Sequence, residues 1–460
     1  MFRHRFRAAT SRHTALLTAV AASLSACGSF NSSSQDCPLT REAPSSHPLP
    51  FRVLVVGTGL TGCLVALRLR QRADELKRLR PIEIVVDATE RATYPSGRFG
   101  AVATHGGSVA DVGAQVLSTL NVDDHRAMGG HGVEVKDIKL ASEIVQRLLA
   151  SSSSNEKLLV RAKDEALGET EERMIWEGLW QHYFAPYGMA SVLRKLLEWA
   201  NVEPSFGVRI DSIRTKTAGR EGTIRVKGIY RRASRSKSET EEEYCRSYDS
   251  VVVCIPAPNV LEINGVLDSL SSDQRHVLKS VKYDVRTCEA HFFSGEISDS
   301  LARAFSDESR VELMVEDIDN RIQYISWQDR KQKFPERHSD SNDTVALVIH
   351  GRAGELHPLG DALDRTLSKL SKGTFSPDEV STHRIHSKSI LWDVSQLITP
   401  MEAVVADPPS EPPWQCIVSR DGRLIVAGDF MTQSSFLGCV ASADAAARAV
   451  VEAAIIQMGL

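Results

Sequence analysis

The chain has 460 residues, of which 42% are hydrophobic and 25% charged, so a sizeable core is available and global disorder is excluded. At roughly 150 residues per domain, this length allows two or three domains. Lys and Arg total 55 against 59 Asp and Glu, which gives a formal net charge of -4. This balance argues against nucleic acid as the main partner, because phosphate-binding surfaces appear as basic domains.

Residues 1–50 are interpreted as a targeting leader and linker. Four arginines without an acid precede a short apolar run, Ala15–Leu24. That run is shorter than the ~20 apolar residues a membrane-spanning helix needs, so no transmembrane segment is expected. The leader fits an organellar transit peptide, for a mitochondrion or plastid, and equally a secretory signal; without either function, the chain would be cytoplasmic.

A β-α-β unit opens the predicted fold. The β-branched run Arg52–Val56 indicates a strand buried on both faces, and leucines at helical spacing predict a helix from Leu60 to about Arg80. A second apolar run, Ile82–Val86, predicts the next strand, which ends at Asp87. This pattern is typical of a parallel sheet in an α/β protein.

The segment Gly57–Gly62 reads G-T-G-L-T-G and joins the first strand to its helix. In this context the glycines permit a tight turn, the approach of a pyrophosphate, and close packing of helix and sheet. The helix N-terminus adds N–H donors. Asp87 is the expected acceptor for a ribose hydroxyl. The motif alone leaves NAD and FAD open.

Two later strands and a terminal helix complete the pattern. Tyr248–Ile255 is a buried run closed by Pro256, and Leu424–Ala427 leads into Gly428 and Asp429. An alanine-rich helix is predicted over Cys439–Met458. No metal site is expected: the eight cysteines form no C-x-x-C pair, and His383 with His386 on one helix face would be too few ligands for zinc.

Several segments together resemble the renalases, within the flavin-dependent amine-oxidase-like superfamily. Ala110–Gln115 is similar to that family's A-D-L-G-A-Q, and Cys254–Pro258 to its M-P-V-P corner. Gly428–Cys439, the most specific segment, resembles G-D-G-F-T-Q-S-N-F-D-G-C. The other matching segments are Val53–Gly62, Asp87–Glu90, Ser96–Arg98, Ala185–Ser191 and Val208–Ile210.

This resemblance implies an α/β fold with a Rossmann-like FAD-binding domain of the p-hydroxybenzoate hydroxylase type and a second, smaller α+β substrate domain. The FAD-binding domain would comprise residues 51–115, 186–260 and 415–460. The substrate domain would comprise residues 116–185 and 261–414.

The resemblance also implies FAD as the cofactor. Asp87 would bind the adenosine ribose, Arg98 the diphosphate, Val208 the adenine and Asp429 the ribityl chain. The helix after Phe436 would point its positive end at the flavin. The full set of implied FAD-binding residues is Gly57, Gly59, Leu60, Thr61, Gly62, Asp87, Arg98, Gly113, Ala114, Gln115, Val208, Pro256, Gly428, Asp429 and Phe436.

The implied reaction is the oxidation of dihydronicotinamide isomers of NAD(P)H to NAD(P)+, with O2 as acceptor and hydrogen peroxide as product. Trp392, Ser326 and His350 are the candidate substrate-facing residues; each also has an ordinary structural interpretation, Trp392 as core and His350 as a buried structural histidine. A flavin amine oxidase or desaturase, or a secreted, non-catalytic FAD-containing signalling protein, are the alternatives. No acid–base residue is assigned, and the oligomeric state is open.

The sequence departs from the family pattern in three places. Ser435 and Leu437 stand where the terminal motif has Asn and Asp. About three extra residues precede Ser96–Arg98, and Asp329 replaces an Asn. These departures bear on substrate contacts more than on FAD.

Overall fold

Two sheets organise the part of the chain that the structure describes, a six-stranded sheet that is mostly parallel and a five-stranded antiparallel sheet. The structure is a computed structural model. It describes residues 50–79, 83–92, 95, 97–103, 109–120, 134–151, 157–162, 167, 180–215, 223–232, 240–305, 310–315, 318–332, 344–399 and 414–459. These residues belong to one unit, residues 47–460. The expected leader up to residue 49, and Ser96, lie outside the described residues.

The described strands have two to nine residues, and the longest belong to the antiparallel sheets. In chain order they are β1 (Phe51–Val56), β2 (Ile84–Glu90), β3 (Ala101–Ala103), β4 (Val109–Asp111), β5 (Leu117–Leu120), β6 (Val160–Arg161), β7 (Trp180–Phe184), β8 (Ser205–Phe206), β9 (Val208–Thr215), β10 (Ile224–Arg232), β11 (Thr240–Tyr248), β12 (Ser250–Val253), β13 (Lys282–Tyr283), β14 (Arg286–Ser294), β15 (Glu312–Met314), β16 (Ile322–Trp327), β17 (Thr344–Gly351), β18 (Arg384–Trp392), β19 (Leu397–Thr399), β20 (Ile417–Val418) and β21 (Leu424–Val426).

Two helices of 20 and 22 residues are the longest among those described. The described helices are α1 (Leu60–Leu79), α2 (Val135–Ala150), α3 (Ala190–Ala200), α4 (Ala257–Glu262), α5 (Val266–Ser269), α6 (Ser272–Ser280), α7 (Ser298–Ala304), α8 (Gln328–Gln332), α9 (Gly360–Leu370), α10 (Pro377–Thr382) and α11 (Phe436–Gln457). None of these helices is long and apolar enough to cross a membrane.

The six-stranded sheet has the order β20-β21-β12-β1-β2-β8, and only β20 runs antiparallel to its neighbour. Its central strand β1 is almost wholly buried because layers cover both faces. The face with α1, α3 and α11 forms one core cluster, and the face toward the β9–β11 sheet forms another. The carboxyl ends of β1, β2, β12 and β21 therefore lie together at one edge, where parallel α/β sheets bind ligands. A mixed α/β protein with a parallel sheet is compatible with a Rossmann-like fold.

The terminal helix α11 packs beside α1. Its small alanines, such as Ala443 and Ala447, are fully buried and permit close approach. Asp444 on α11 accepts ion pairs from Arg68 and Arg72 of α1, at 2.8 and 2.9 Å. The two helix N-termini are thereby held side by side at the carboxyl edge of the parallel sheet.

The five-stranded sheet has the order β15-β16-β17-β14-β18 with every neighbouring pair antiparallel. One face packs against α7, α9 and α10, in a core that includes Phe293 and Leu363. The opposite face packs against β4, where Ala110 and Val112 meet Phe292. The division of the chain into FAD-binding and substrate domains stays a prediction.

Two local expectations are wrong. Strand β2 ends at Glu90 rather than at Asp87, because its ladder with β1 continues to Val56 and Thr89. His383 and His386 do not share a helix face: His383 follows the last turn of α10 and His386 lies within β18. Among the described residues, no group of three or more His, Cys, Asp or Glu is placed to hold a metal ion.

Candidate functional site

The turn between β1 and α1 is built by two glycines that tolerate no side chain. Gly57 has a φ of +91°, and a Cβ there would lie 2.6 Å from Ile255. A Cβ on Gly62 would lie 1.9 Å from the Gly57 oxygen. Gly59 differs, because a Cβ there would meet nothing within 4 Å. The protein's own packing therefore requires glycine at 57 and 62, and leaves open space above 59.

The carboxylate beside this turn is Glu90, not Asp87. Glu90 Oε2 accepts hydrogen bonds from the backbone N and the hydroxyl of Thr58, at 2.8 and 3.0 Å. Asp87 lies three residues earlier in β2 and pairs with Arg52 at 2.9 Å on a half-exposed surface. Glu90 follows Asp87 by three residues. If Glu90 rather than Asp87 is matched to the family's acidic residue, the three extra residues counted before Ser96–Arg98 disappear. Glu90 is therefore a second candidate for the ribose contact, and the assignment of Asp87 stays a prediction.

The Arg98 side chain contacts residues from the C-terminal part of the chain. Its Nη2 lies 2.6 Å from Asp429 Oδ2, and its Nη1 donates to Ser434 Oγ at 2.8 Å and to the Ser395 oxygen at 3.0 Å. Burial disfavours the charged guanidinium, but the adjacent Asp429 outweighs it and raises the pKa of Arg98. Arg98 therefore stays charged next to both glycine-rich segments.

The segments predicted to line the flavin are in contact. The Arg98 oxygen accepts from the Ala114 N at 2.7 Å, and the Gly100 oxygen accepts from the Val112 N at 3.1 Å. A Cβ on Gly113 would lie 2.0 Å from the Arg98 oxygen, so glycine is required there. Gly97 in turn approaches Gly59, since a Cβ on Gly97 would lie 3.4 Å from the Gly59 Cα.

The N-terminus of α11 explains one departure from the family pattern. Ser435 is the N-cap, and its hydroxyl accepts from the Gly438 N at 3.0 Å, a role that Asn and Ser fill equally well. Leu437, in place of Asp, is fully buried in the core. Phe436, the first residue of α11, is 5% exposed. Nearby, the buried hydroxyl of Thr432 has no hydrogen-bond partner among the described residues.

Five more predicted residues lie at the carboxyl edge of the parallel sheet. Pro256 follows β12 and caps α4. Gly428 follows β21, and its N donates to Ser442 Oγ at 2.9 Å. Val208 starts β9 directly after Gly207, whose N donates to the Ala92 oxygen just past Glu90. Leu60 and Thr61 occupy the first turn of α1, both largely buried.

Trp392, Ser326 and His350 share one face of the five-stranded sheet, the face toward β4. The registers align them: Cys288 pairs with His350, His350 with Tyr324, and Trp392 with Arg286. Trp392 Nε1 donates to the Val112 oxygen at 2.9 Å, beside the segment predicted to line the flavin. Ser326 is fully buried and accepts from Gln328. The structure thus brings these three residues and Gly113–Gln115 together.

Sequence reasoning missed a buried polar cluster on this face, made of Asp111, Gln115, Gln328 and Lys331. Lys331 Nζ contacts the Gln115 Oε1, the Gln328 Oε1 at 3.3 Å and Asp111 Oδ2 at 3.9 Å. Burial lowers the pKa of Lys331 and raises that of Asp111 to about 6, despite their attraction. Lys331 lies in α8, the short helix after β16, and nothing local in the sequence pairs it with Asp111 and Gln115, which are more than 200 residues away.

His350 lies against this cluster. Its ring stacks on Tyr324 with centroids 4.5 Å apart, and its Nε2 contacts Gln115 Nε2 at 3.3 Å and Cys288 Sγ at 3.5 Å. Burial, with the charges of Arg286 and Lys331, lowers the pKa of His350 to about 3. The imidazole is therefore neutral at physiological pH.

Comparison with known proteins gives an informative relative. Mouse renalase is 22% identical to the chain over 399 residues, which cover 85% of this chain and 96% of that protein. No family model matches the chain. The likeness supports a renalase-like or FAD-dependent oxidoreductase relationship.

The residues present fit a bound dinucleotide such as FAD. The open space above Gly59 lies where a pyrophosphate would approach the N-terminus of α1. Arg98 supplies a cation there, and Glu90 supplies carboxylate oxygens at the end of β2. The unpartnered Thr432 hydroxyl near the start of α11 is a further polar group without an internal role.

Proposed function

We propose that the protein is a renalase-like, FAD-dependent oxidoreductase that oxidises dihydronicotinamide isomers of NAD(P)H, with O2 as acceptor. The observation that carries this proposal is the gathering of Gly59, Glu90, Arg98 and Asp429 at the carboxyl edge of the parallel sheet. The relationship to renalase, which suggests a flavin-dependent oxidoreductase, supports the same reaction class.

The N-terminus of α1 and Arg98 would hold the pyrophosphate, because both present donors to open space or to a neighbouring anion. Glu90 would accept from the adenosine ribose, and the Gly207–Val208 backbone beside it would meet the adenine. Asp429 would accept from the ribityl chain. The N-terminus of α11 would place positive partial charge near the ring and so favour its reduced, anionic form.

When bound, a flavin would supply the redox chemistry, namely acceptance of a hydride from the dihydronicotinamide and transfer of two electrons to O2, which with that hydrogen and a solvent proton would give hydrogen peroxide. The chain contributes orientation. Trp392, fixed through Val112, and His350, stacked on Tyr324, would form a wall beside Gly113–Gln115. His350 remains neutral in this environment, so we assign it no acid–base role.

The location of the protein is part of the proposal. The basic, acid-free N-terminal sequence is proposed as a leader that directs the chain to an organelle or to secretion. The mature N-terminus, read by mass spectrometry of the native protein, tests it: a start near residue 50 supports a cleaved leader, and an intact Met1 contradicts it.

The cofactor is tested by purifying the full chain with added FAD. We expect a flavin absorption band, and release of FAD rather than FMN on heating, at close to one equivalent per chain. A well-folded protein that never shows the band would contradict the proposal. FMN in place of FAD would keep the flavin and contradict the assignment of Glu90 and Val208 to an adenosine.

A further inference from the structure

The edge strand β18 presents alternate side chains to the two faces of the five-stranded sheet. Every second residue from His386 onward pairs with a β14 residue, and three of these four partners belong to the core cluster around Val112. Residues directly opposite each other in an antiparallel pair share a face. The side chains of β18 on the face toward β4, here called the β18 row, are therefore those of His386, Lys388, Ile390 and Trp392.

Exposure along the β18 row rises with distance from Trp392. Trp392 and Ile390 are half-buried, whereas Lys388 and His386 are exposed. The Trp392 ring lies against the segment predicted to line the flavin, since a Cβ on Gly100 would lie 3.8 Å from it. Lys388 is four residues farther out, which is about 13 Å along a strand. The row thus leads from the wall of the candidate site to solvent.

The two faces of β18 differ in the balance of their charges. On the face toward α9, Arg384 pairs with the buried carboxylate of Asp364, and His291 of β14 lies 2.9 Å from Glu289. On the face toward β4, Lys388 forms no ion pair with any acid of the described ranges. The β18 row therefore carries an exposed positive charge that no acid in the described part of the chain neutralises.

We propose that Lys388 is a substrate-binding residue, which contacts the diphosphate of a dihydronicotinamide dinucleotide whose nicotinamide ring lies beside Trp392. In such a substrate, one ribose separates the nicotinamide from the diphosphate, so the two groups are recognised at neighbouring places. An aromatic side chain suits the ring, and an ammonium on a flexible stem suits a phosphate. The inference rests on the proposed function and deepens it, because it names the part of the substrate that the outer end of the β18 row recognises.

The test compares two ligands that differ in the diphosphate, NAD+ and nicotinamide riboside, by isothermal titration of the full-length protein carrying FAD. The wild type should bind NAD+ more tightly than nicotinamide riboside. Lys388→Met removes the charge at an exposed position and should bind NAD+ about fivefold more weakly, with the affinity for nicotinamide riboside unchanged. Added salt should weaken NAD+ binding more in the wild type than in Lys388→Met, because salt screens the attraction between lysine and phosphate.

A matched control is Lys139→Met, which removes the same charge from an exposed position on α2 and should bind both ligands as the wild type does. In turnover with NADH isomers, Lys388→Met should raise KM by a similar factor and leave kcat unchanged. This split is expected because the diphosphate takes no part in the hydride transfer.

Equal NAD+ affinity in the wild type and Lys388→Met overturns the proposal, and would leave Lys388 as a lysine that only protects the sheet edge from pairing. An equal loss for both ligands, or the same loss in Lys139→Met, also overturns it. So does a wild type that binds NAD+ no more tightly than nicotinamide riboside. The expected affinities in a protein whose flavin no dihydronicotinamide reduces would uphold the diphosphate contact and contradict the proposed function.

Discussion

The two main sheets use different means to present polar groups. In the parallel sheet, the candidate ligand contacts are backbone groups and side chains at the strand ends and helix starts, such as Thr58, Glu90 and Ser435. In the antiparallel sheet they are side chains in the strands or in α8 after β16, such as Ser326, His350 and Lys331, and the last two contact Gln115 from a distant segment. The first arrangement depends on local turn geometry, and the second on buried contacts that only the complete fold creates.

This difference has an energetic consequence. The glycine turn exposes donors to open space and costs the protein little when no ligand is present. The Lys331 cluster instead buries charge, which is expensive unless every partner is in place. Variants that extend into the open space of the first region should affect the ligand more than the fold, and variants in the second region should affect both.

The largest expected effects are on the unfolding free energy and the FAD affinity, and they should differ between two glycines of the same turn, Gly62 and Gly59. Gly62→Ala places a methyl against the Gly57 oxygen, 1.9 Å from it, and should destabilise the fold by more than about 3 kcal/mol. Gly59→Val extends into open space, so its unfolding free energy should stay within about 1 kcal/mol of the wild type. Its FAD affinity should fall at least about a hundredfold, because the side chain occupies the pyrophosphate approach.

Urea unfolding and FAD titration of both variants measure these effects. An unchanged flavin content in Gly59→Val would contradict the placement of the pyrophosphate. Equal destabilisation of the two variants would contradict the geometry of the turn.

The second effect concerns the buried cluster. Lys331→Met leaves Asp111 buried at 2% exposure without its ammonium partner and should cost about 3 kcal/mol of unfolding free energy. The double variant with Asp111→Asn should recover part of that loss, because no unpaired carboxylate remains. Denaturant unfolding of the four proteins forms a double-mutant cycle, and strictly additive losses would show that the pair is not coupled.

A smaller effect on FAD affinity is expected when the two carboxylates of β2, Glu90 and Asp87, are removed one at a time. Glu90→Ala removes the acceptor for Thr58 and the ribose candidate, and should weaken FAD binding by about 1–3 kcal/mol. The matched variant Asp87→Ala removes a half-exposed ion pair with Arg52, which contributes at most about 1 kcal/mol, and should leave FAD affinity unchanged. The reverse ranking, measured by FAD titration, would favour Asp87 as the ribose residue.

The smallest effect is a pH dependence. The folded pKa of His350 is lowered to about 3, so between that value and the ordinary histidine pKa the unfolded chain binds more protons than the folded one. Stability should therefore fall as the pH drops below about 6.5, by about 2 kcal/mol from this residue between pH 7 and pH 5. The acid slope of His350→Asn should be shallower by that amount. Identical slopes for the two proteins would contradict a buried, neutral His350.

The sequence was sufficient for features set by local geometry. The glycine turn, the parallel strands and the segments around Arg98 and Asp429 follow from periodicity, glycine spacing and the family resemblance. The end of β2 differs from the prediction because Ala88–Glu90 carries less apolar character than the run before it, while the ladder to β1 continues. The helix α11 starts at Phe436, three residues before the predicted start at Cys439, and Ser435 is a typical N-cap.

The buried cluster could not be predicted in the same way. Gln115 and Lys331 are 216 residues apart, and each alone is an ordinary polar residue next to a strand. Only the pairing of β16 with β17, and the packing of β4 on that sheet, bring Asp111, Lys331 and His350 together. A single sequence contains no local signal for such contacts.

The most direct test of the central claim follows flavin absorbance anaerobically while an equilibrated mixture of NADH isomers is added to the full-length protein carrying FAD. The proposed function predicts rapid bleaching by the minor isomers, and recovery of the oxidised spectrum with release of hydrogen peroxide when air is admitted. A bound flavin that stays oxidised throughout would contradict oxidation of dihydronicotinamides by this protein.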